Sequence, residues 1–271
     1  MRRLSDHGEA GLLEELARRN LVEEIADDAA LVDGTVVTQD ALVEGVHFRL
    51  DWISWRDLGF RAAAVNLSDL AASGATPRAL VVTIGAPPDT ALDDVLELYE
   101  GLNEAGVPIV GGDTVRAPVL VLSVTALGRS VRVPGRGGAR AGDALVVTGP
   151  LGAAGAAFRA HGYARPPVRI DEGQMLAAHA HALTDISDGI AVDAGHVAER
   201  SVVRAVIELD RVPLAEGATL ADLAFGEDYE LLAAVEDAQG FAVVGRCEEG
   251  EGLALIQNGE SVVLPAWEHF G

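Results

Sequence analysis

The chain has 271 residues, 49% of them hydrophobic, with 42 acidic against 20 basic side chains and a formal net charge of -22. That is enough apolar material for one large or two ordinary cores, and too acidic a surface for a nucleic-acid polyanion, which needs basic groups. No apolar run approaches the ~18 to 20 residues that span a bilayer, so the expectation is a cytoplasmic protein with neither membrane nor nucleic-acid partners.

Two further compositional facts narrow the chemistry. Cys247 is the only cysteine, which excludes an internal disulfide and, without a nearby histidine or second thiol, gives no zinc site or thiol nucleophile. Lysine is absent altogether, so all 20 basic side chains are arginines. Such acidity fits a salt-rich habitat, and the missing lysines fit either that habitat or a GC-rich genome.

In chain order, Leu12, Leu13 and Leu16 give a helix over 9–20, and residues 29–38 give a hairpin about Asp33-Gly34. Leu58, Ala62, Val65 and Leu70 predict a long helix over 52–73, stopped by Gly74 and Pro77, with Asn66 and Asp69 on one face. A strand (79–84), a helix (91–105) and a strand (107–110) follow, with Gly111-Gly112-Asp113 expected to turn at the strand end. A strand over 119–127 completes the first unit.

Residues 128–142, rich in Gly, Arg and Pro, mark the expected domain junction, giving domains 1–132 and 133–271. The second half opens with a strand (144–148) and Gly149-Pro150-Leu151-Gly152, a loop able to cradle an anion but lacking the lysine of a Walker loop. A helix is expected near 172–183, placing His179 and His181 on its surface. Asp188 is expected to cap a helix to about residue 200, with strands near 204–209, 230–235, 241–246 and 253–257. This alternation predicts a two-domain α/β (α+β) fold with ligands at strand ends.

The functional signal is the recurrence of aspartate beside small residues at strand ends or on one helix face: Asp27-Asp28, Asp40, Asp69, Asp113, Asp185 and Asp188. A single one reads as a turn or cap; the set reads as a polynuclear Mg²⁺ site, because magnesium is held by a few carboxylates together with substrate phosphates. Gly111-Gly112-Asp113-Thr114 offers backbone N–H groups, a carboxylate and a hydroxyl to a nucleotide phosphate. Arg136 sits in a glycine frame suited to gripping phosphate, though Arg129, Arg132 and Arg140 are equally available by spacing. Gly226-Glu227-Asp228 places acids where a cationic ring's amino group could be bound, and Trp267 offers a stacking surface.

In order, the segments Asp27-Asp28-Ala29-Ala30, Asp40 to Phe48, Ala64 to Ala72, Gly111 to Thr114, Asp185 to Gly189 and Gly226 to Leu231 resemble the thiamine-monophosphate kinase family. That family belongs with the aminoimidazole ribonucleotide and selenophosphate synthetases. The resemblance implies a homodimer whose N-terminal sheets join in a barrel, and a C-terminal α/β domain. It implies phosphorylation of thiamine monophosphate to thiamine diphosphate, with ATP as co-substrate and several Mg²⁺ ions. By the same resemblance Asp28, Thr38, Gln39 (through its carbonyl), Asp40, Asp69, Asp113, Asp185 and Asp188 are metal ligands. Gly112, Asp113, Arg136 and Ser187 touch ATP, with Asp113 and Arg136 closest to the chemistry, and His47, Glu227 and Trp267 bind thiamine monophosphate. Ala26 and Phe225 replace customary glycines, and Gln39 a small hydroxyl residue. A rival within the superfamily is another ATP-dependent synthetase, although the selenide-using type would need a reactive N-terminal cysteine; a non-catalytic nucleotide-binding protein is the other alternative.

Overall fold

The computed structural model describes residues 3–6, 8–23 and 27–265. After helix α1 (Gly8–Arg18), strands β1 (Ala30–Val32) and β2 (Thr35–Val43) form the expected hairpin. Helix α2 (Trp55–Ala72), strand β3 (Thr76–Ala86), helix α3 (Leu92–Glu104) and strands β4 (Ile109–Arg116) and β5 (Val121–Arg129) complete a five-stranded sheet of order β1-β2-β5-β3-β4. Only the β3–β4 pair is parallel. The sheet is open, with β1 and β4 at its edges.

Helix α2 begins at Ser54, whose hydroxyl accepts the Asp57 N–H at 3.0 Å, and ends where Gly74 takes a left-handed φ of 60°. Thirteen of its eighteen residues are buried, the pattern of a helix enclosed on most sides rather than lying on a surface. One side packs on Val36, Leu42, Val82, Leu122 and Val124 of the first sheet. The alternation along β2 and β5 follows, with Thr38 facing α2 as well and Gln39 turned to the opposite face, where its Nε2 donates to Ser123 Oγ at 2.9 Å.

Strands β6 (Ala144–Val147), β7 (Ala182–Asp185), β8 (Arg204–Glu208), β9 (Leu231–Val235), β10 (Ala242–Glu248), β11 (Gly252–Gln257) and β12 (Glu260–Val262) form a second sheet, ordered β12-β11-β8-β10-β6-β9-β7. Helix α6 (Ile190–Ser201) covers one face, where Cys247 is buried among apolar side chains. The other face carries Ala71 and Ala72 of α2 with Leu176 and Ala177 of α5 (Ile170–Ala177), so α2 touches both sheets. Helix α4 (Ala153–Arg159) lies between β6 and α5 in the chain.

Four expectations are corrected. Gly111-Gly112-Asp113 does not turn: β4 runs to Arg116, and Gly112 and Asp113 pair with Val82 and Thr83. Gly112 is required there by approach rather than by a turn, since a Cβ would stand 1.7 Å from the Val82 carbonyl oxygen. The helix expected over 172–183 ends at Ala177, and β7 begins at Ala182; His181 is half-buried before it, its Nδ1 2.9 Å from Asp143 Oδ2. Asp188 does not cap α6; Gly189 occupies the cap position without a side-chain bond. The Gly149–Gly152 loop is filled from within, because Asp228 accepts the N–H of Gly152 at 2.8 Å and of Ala154 at 3.4 Å.

Helices α2 and α3 meet backbone to backbone at Gly59 and Gly101. A Cβ on Gly101 would stand 1.8 Å from the Arg56 carbonyl oxygen. Gly101→Ala is therefore expected to destabilise the fold by roughly 1–3 kcal/mol, read as a fall in denaturation midpoint; an unchanged midpoint would show that the helices separate freely.

Candidate functional site

Three segments far apart in sequence bring one carboxylate each to the same point. Asp28 precedes β1, Asp69 lies in the last turns of α2, and Asp185 ends β7; their oxygens lie within 4.8 Å of one another. Each is held by a neutral or basic neighbour. The Thr38 hydroxyl donates to Asp69 and lies 3.3 Å from the Asp28 carbonyl, and Ser68 Oγ donates to Asp185 Oδ2 at 2.6 Å. Arg136 Nη2 donates to Asp28 Oδ1 at 2.5 Å, while Thr184 Oγ1 sits between Arg136 Nε and Asp28 Oδ1 at 3.3 and 3.2 Å.

Local sequence accounts for each placement. The polar run Asn66-Leu67-Ser68-Asp69 interrupts an otherwise apolar buried helix, so its polar groups must find partners inside. Asn66 Oδ1 accepts the Asp40 N–H at 3.1 Å, fixing β2 beside the cluster. The Arg136 N–H donates to Asp27 Oδ1 at 2.7 Å, and Gly135, at φ 71°, gives the room: a Cβ would be 2.7 Å from that oxygen. Among the arginines equivalent by spacing, Arg132 instead binds the carbonyls of Ala177 and Ala180, and the side chains of Arg129 and Arg140 form no ion pair among the described residues.

Burial dominates the electrostatics. It raises the Asp185 carboxyl from its ordinary 3.8 to about 8, with Asp28 and Asp40 adding to the rise and Ser68 and Arg136 opposing it. Burial, then Asp185, Asp40 and Asp28, push Asp69 well upward; burial also raises Asp28 against the pull of Arg136. One guanidinium cannot balance three carboxylates if all are ionised, so the group is either protonated or short of positive charge. Its all-oxygen donor set fits a hard divalent cation, which would supply the missing positive charge.

The other expected residues fall into three places. Ser187 and Asp188 are half-buried in the β7–α6 loop, Ser187 O accepting the Glu227 N–H at 2.7 Å. His47 follows β2, its Nδ1 accepting the Val43 N–H at 3.1 Å, and Glu227, at φ 58°, is ion-paired at 2.5 Å to the buried Arg61. Gly112 and Asp113 stand on exposed edge strand β4, three strands from β2 and so about 14 Å across the sheet from Asp40's level. They do not join the three-carboxylate group within this chain. Trp267, like Ala26, lies outside the described residues.

Sequence reasoning passed over Arg61, whose guanidinium also sits 4.9 Å from the Tyr163 ring centroid. Its signal was an arginine set directly before the small apolar run Ala62-Ala63-Ala64-Val65. Also unforeseen is an aromatic group beside Glu227: Trp52 lies 5.4 Å from Phe158, 5.0 Å from His161 and 6.2 Å from Tyr163, and Phe158 lies 4.8 Å from Phe225. Residues so far apart in sequence carry no local pattern that would join them.

The raised carboxyl of Asp185 fixes a sign. The unfolded chain ionises near 3.8 while the folded one keeps its proton to about 8, so stability from this group is full below 3.8 and lost as pH rises through 8. Without divalent cations the melting temperature is expected to fall between about pH 6 and pH 9, less so in Asp185→Asn, and Mg²⁺ should raise it most at the alkaline end. Identical pH slopes in the two proteins would remove Asp185 from this role.

Known proteins share the sequence and the fold of this chain. Residues 26–130 match the family described as AIR synthase related protein, N-terminal domain, and residues 140–260 its C-terminal domain. Thiamine-monophosphate kinase of Mycobacterium tuberculosis is 37% identical, covering 90% of this chain and 85% of its own. The crystal structure of thiamine monophosphate kinase from Aquifex aeolicus is 31% identical, with TM-score 0.85 over 97% of this chain and all of that one. A structure of AaThiL complexed with AMPPCP and TMP gives TM-score 0.89 at 30% identity over 99% of both chains. The HypE–HypF complex structure, at 18% identity and TM-score 0.80, shares the fold. By family match, identity and coverage, this chain belongs to the AIR synthase related proteins and, among them, to the thiamine-monophosphate kinase family.

Proposed function

We propose that this protein transfers the γ-phosphoryl group of ATP to thiamine monophosphate, giving thiamine diphosphate. The observation that carries the reading is the convergence of Asp28, Asp69 and Asp185 beside the single guanidinium of Arg136, in a chain of this family. The acceptor is a phosphate oxygen, already anionic, so the reaction needs no strong base; what it needs is two polyanions aligned and neutralised. Mg²⁺, when bound, supplies that neutralisation.

The remaining assignments are our reading of this chain's residues. Asp28, Thr38, Asp40, Asp69, Asp185 and Asp188, with the Gln39 carbonyl, hold the cations, and Asp113, which stands apart from them in this chain, holds a further one; the turned-away Gln39 side chain is consistent with a backbone role. Gly112, Asp113, Arg136 and Ser187 contact the nucleotide. His47 and Glu227 hold the thiamine moiety, with Trp267, and the aromatic group beside Glu227 offers a surface for its cationic rings. We keep the division into 1–132 and 133–271, and place the enzyme in the cytoplasm with its ATP; no helix among the described residues is long and apolar enough to cross a membrane.

A homodimer is part of the same reading. Strand β4 ends the first sheet with seven of its eight residues exposed, Val110 and Val115 at 65% and 47%, and a long uncovered edge of this kind favours pairing with another chain. Sedimentation should therefore give about twice the 28.1 kDa of one chain, and a mass of one chain at micromolar concentration would overturn the dimer.

Purified protein with ATP, Mg²⁺ and thiamine monophosphate is expected to form thiamine diphosphate by chromatography, at low or molar potassium chloride, and to stop when the cation is chelated. Asp69→Asn should lower turnover on the order of a hundredfold or more, the scale of losing one charge-stabilising group. ATP binding without product at either salt would sink the kinase reading.

A further inference from the structure

Among the described residues only three buried side-chain nitrogen or oxygen atoms lack a hydrogen-bond partner: Arg61 Nε, Asp193 Oδ1 and His196 Nδ1. Two of the three lie on α6, one turn apart. Asp193 is fully buried, and the charges acting on it are Asp185 and Asp188, then Arg136 and Asp28; the His196 ring is subject to Arg136 and Asp188 in turn. Both unpartnered atoms therefore belong to the helix that backs the carboxylate cluster.

Asp193 is not spent on the helix itself. The cap position belongs to Gly189, and the Asp193 N–H already reaches the Gly189 carbonyl at 3.1 Å. Its Oδ2 accepts the N–H of Asp188 at 3.1 Å, tying down the loop that carries that carboxylate. Structural fixing of the loop uses one oxygen. The second, buried without a donor, is costly to keep unless something brings a donor to it.

We propose that Asp193 is a positioning residue for the Asp185–Asp188 side of the site: Oδ2 orients Asp188 through its backbone, and Oδ1 accepts a hydrogen bond from water bound to the cation held there. This rests on the Mg²⁺ reading above. Hard cations such as Mg²⁺ keep several of their waters, and the groups that orient those waters and the ligands tune affinity from the second layer. No part of the sequence pattern marks Asp193, because it sits inside a helix and reads as an ordinary exposed acid.

Asp193→Asn tests this, since its amide oxygen can still accept the Asp188 N–H while the NH₂ replaces the unpartnered acceptor. Two readouts are taken on the intact protein: the Mg²⁺ concentration for half of the thermal stabilisation without substrates, and the Mg²⁺ concentration for half-maximal thiamine diphosphate formation. Both are expected to rise roughly 10- to 100-fold, with the KM for thiamine monophosphate unchanged. In Asp188→Asn the further change at Asp193 should add little.

Midpoints within twofold of the unsubstituted protein, or a full additional shift in the Asp188→Asn background, would overturn the proposal. If Asp193→Asn does not fold, Asp193→Ser is judged by the same midpoints. Absence of product from the unsubstituted protein would count against the kinase reading, while the substrate-free thermal titration would still decide the role of Asp193.

Discussion

Everything at the site depends on a polar stripe inside a buried helix. Helix α2 lies against both sheets, and a helix in that position would ordinarily be apolar throughout. Here Arg61, Asn66, Ser68 and Asp69 point inward, and each finds a partner from another part of the chain: Glu227, the Asp40 backbone, Asp185 and Thr38 respectively. Buried polar groups must be satisfied, so α2 can sit in only one register between the sheets. That single requirement aligns β2, β7 and the loop carrying Glu227 with one another.

The same helix explains why like charges can be gathered without unfolding the protein. Aspartates in water would repel and solvate; here they are carried by elements whose apolar packing is already committed. Small residues permit the close approach, as where Gly173 of α5 meets the Ala71 carbonyl, 2.2 Å from where a Cβ would stand. The repulsion is then a local excess, relieved by protons or by a cation, rather than a force against the whole fold. Binding sites of this type trade local stability for affinity.

Much of this was legible in the sequence, and the failures have physical causes. The long helix expected over 52–73 forms as Trp55–Ala72, because Leu58, Ala62, Val65 and Leu70 recur at helical spacing and Gly74 stops it. The Asp28, Asp69 and Asp185 candidates were visible as acids beside small residues. Gly111-Gly112 misled because glycine suggests a turn, whereas here pairing with β3 keeps the chain extended and backbone proximity demands the missing side chain. The run from Glu172 to Leu183 concealed a strand, since alanine and leucine suit either state and only the pairing of β7 with β9 decides. Asp228 hid in plain sight: its partners, Gly152 and Ala154, are more than seventy residues away.

The arginine-only composition has a chemical consequence beyond charge balance. Among the described residues, the ion pairs Arg61–Glu227, Arg136–Asp28, Arg159–Asp222 and Arg169–Glu230, which tie distant segments together, are each made by a guanidinium. Such a group stays protonated throughout the range in which proteins survive and forms the paired bonds a carboxylate accepts. The side chains thus offer no primary amine to acetylation, ubiquitin transfer or amine-directed crosslinking, and the long-range ties of this fold lie beyond the reach of lysine-based regulation.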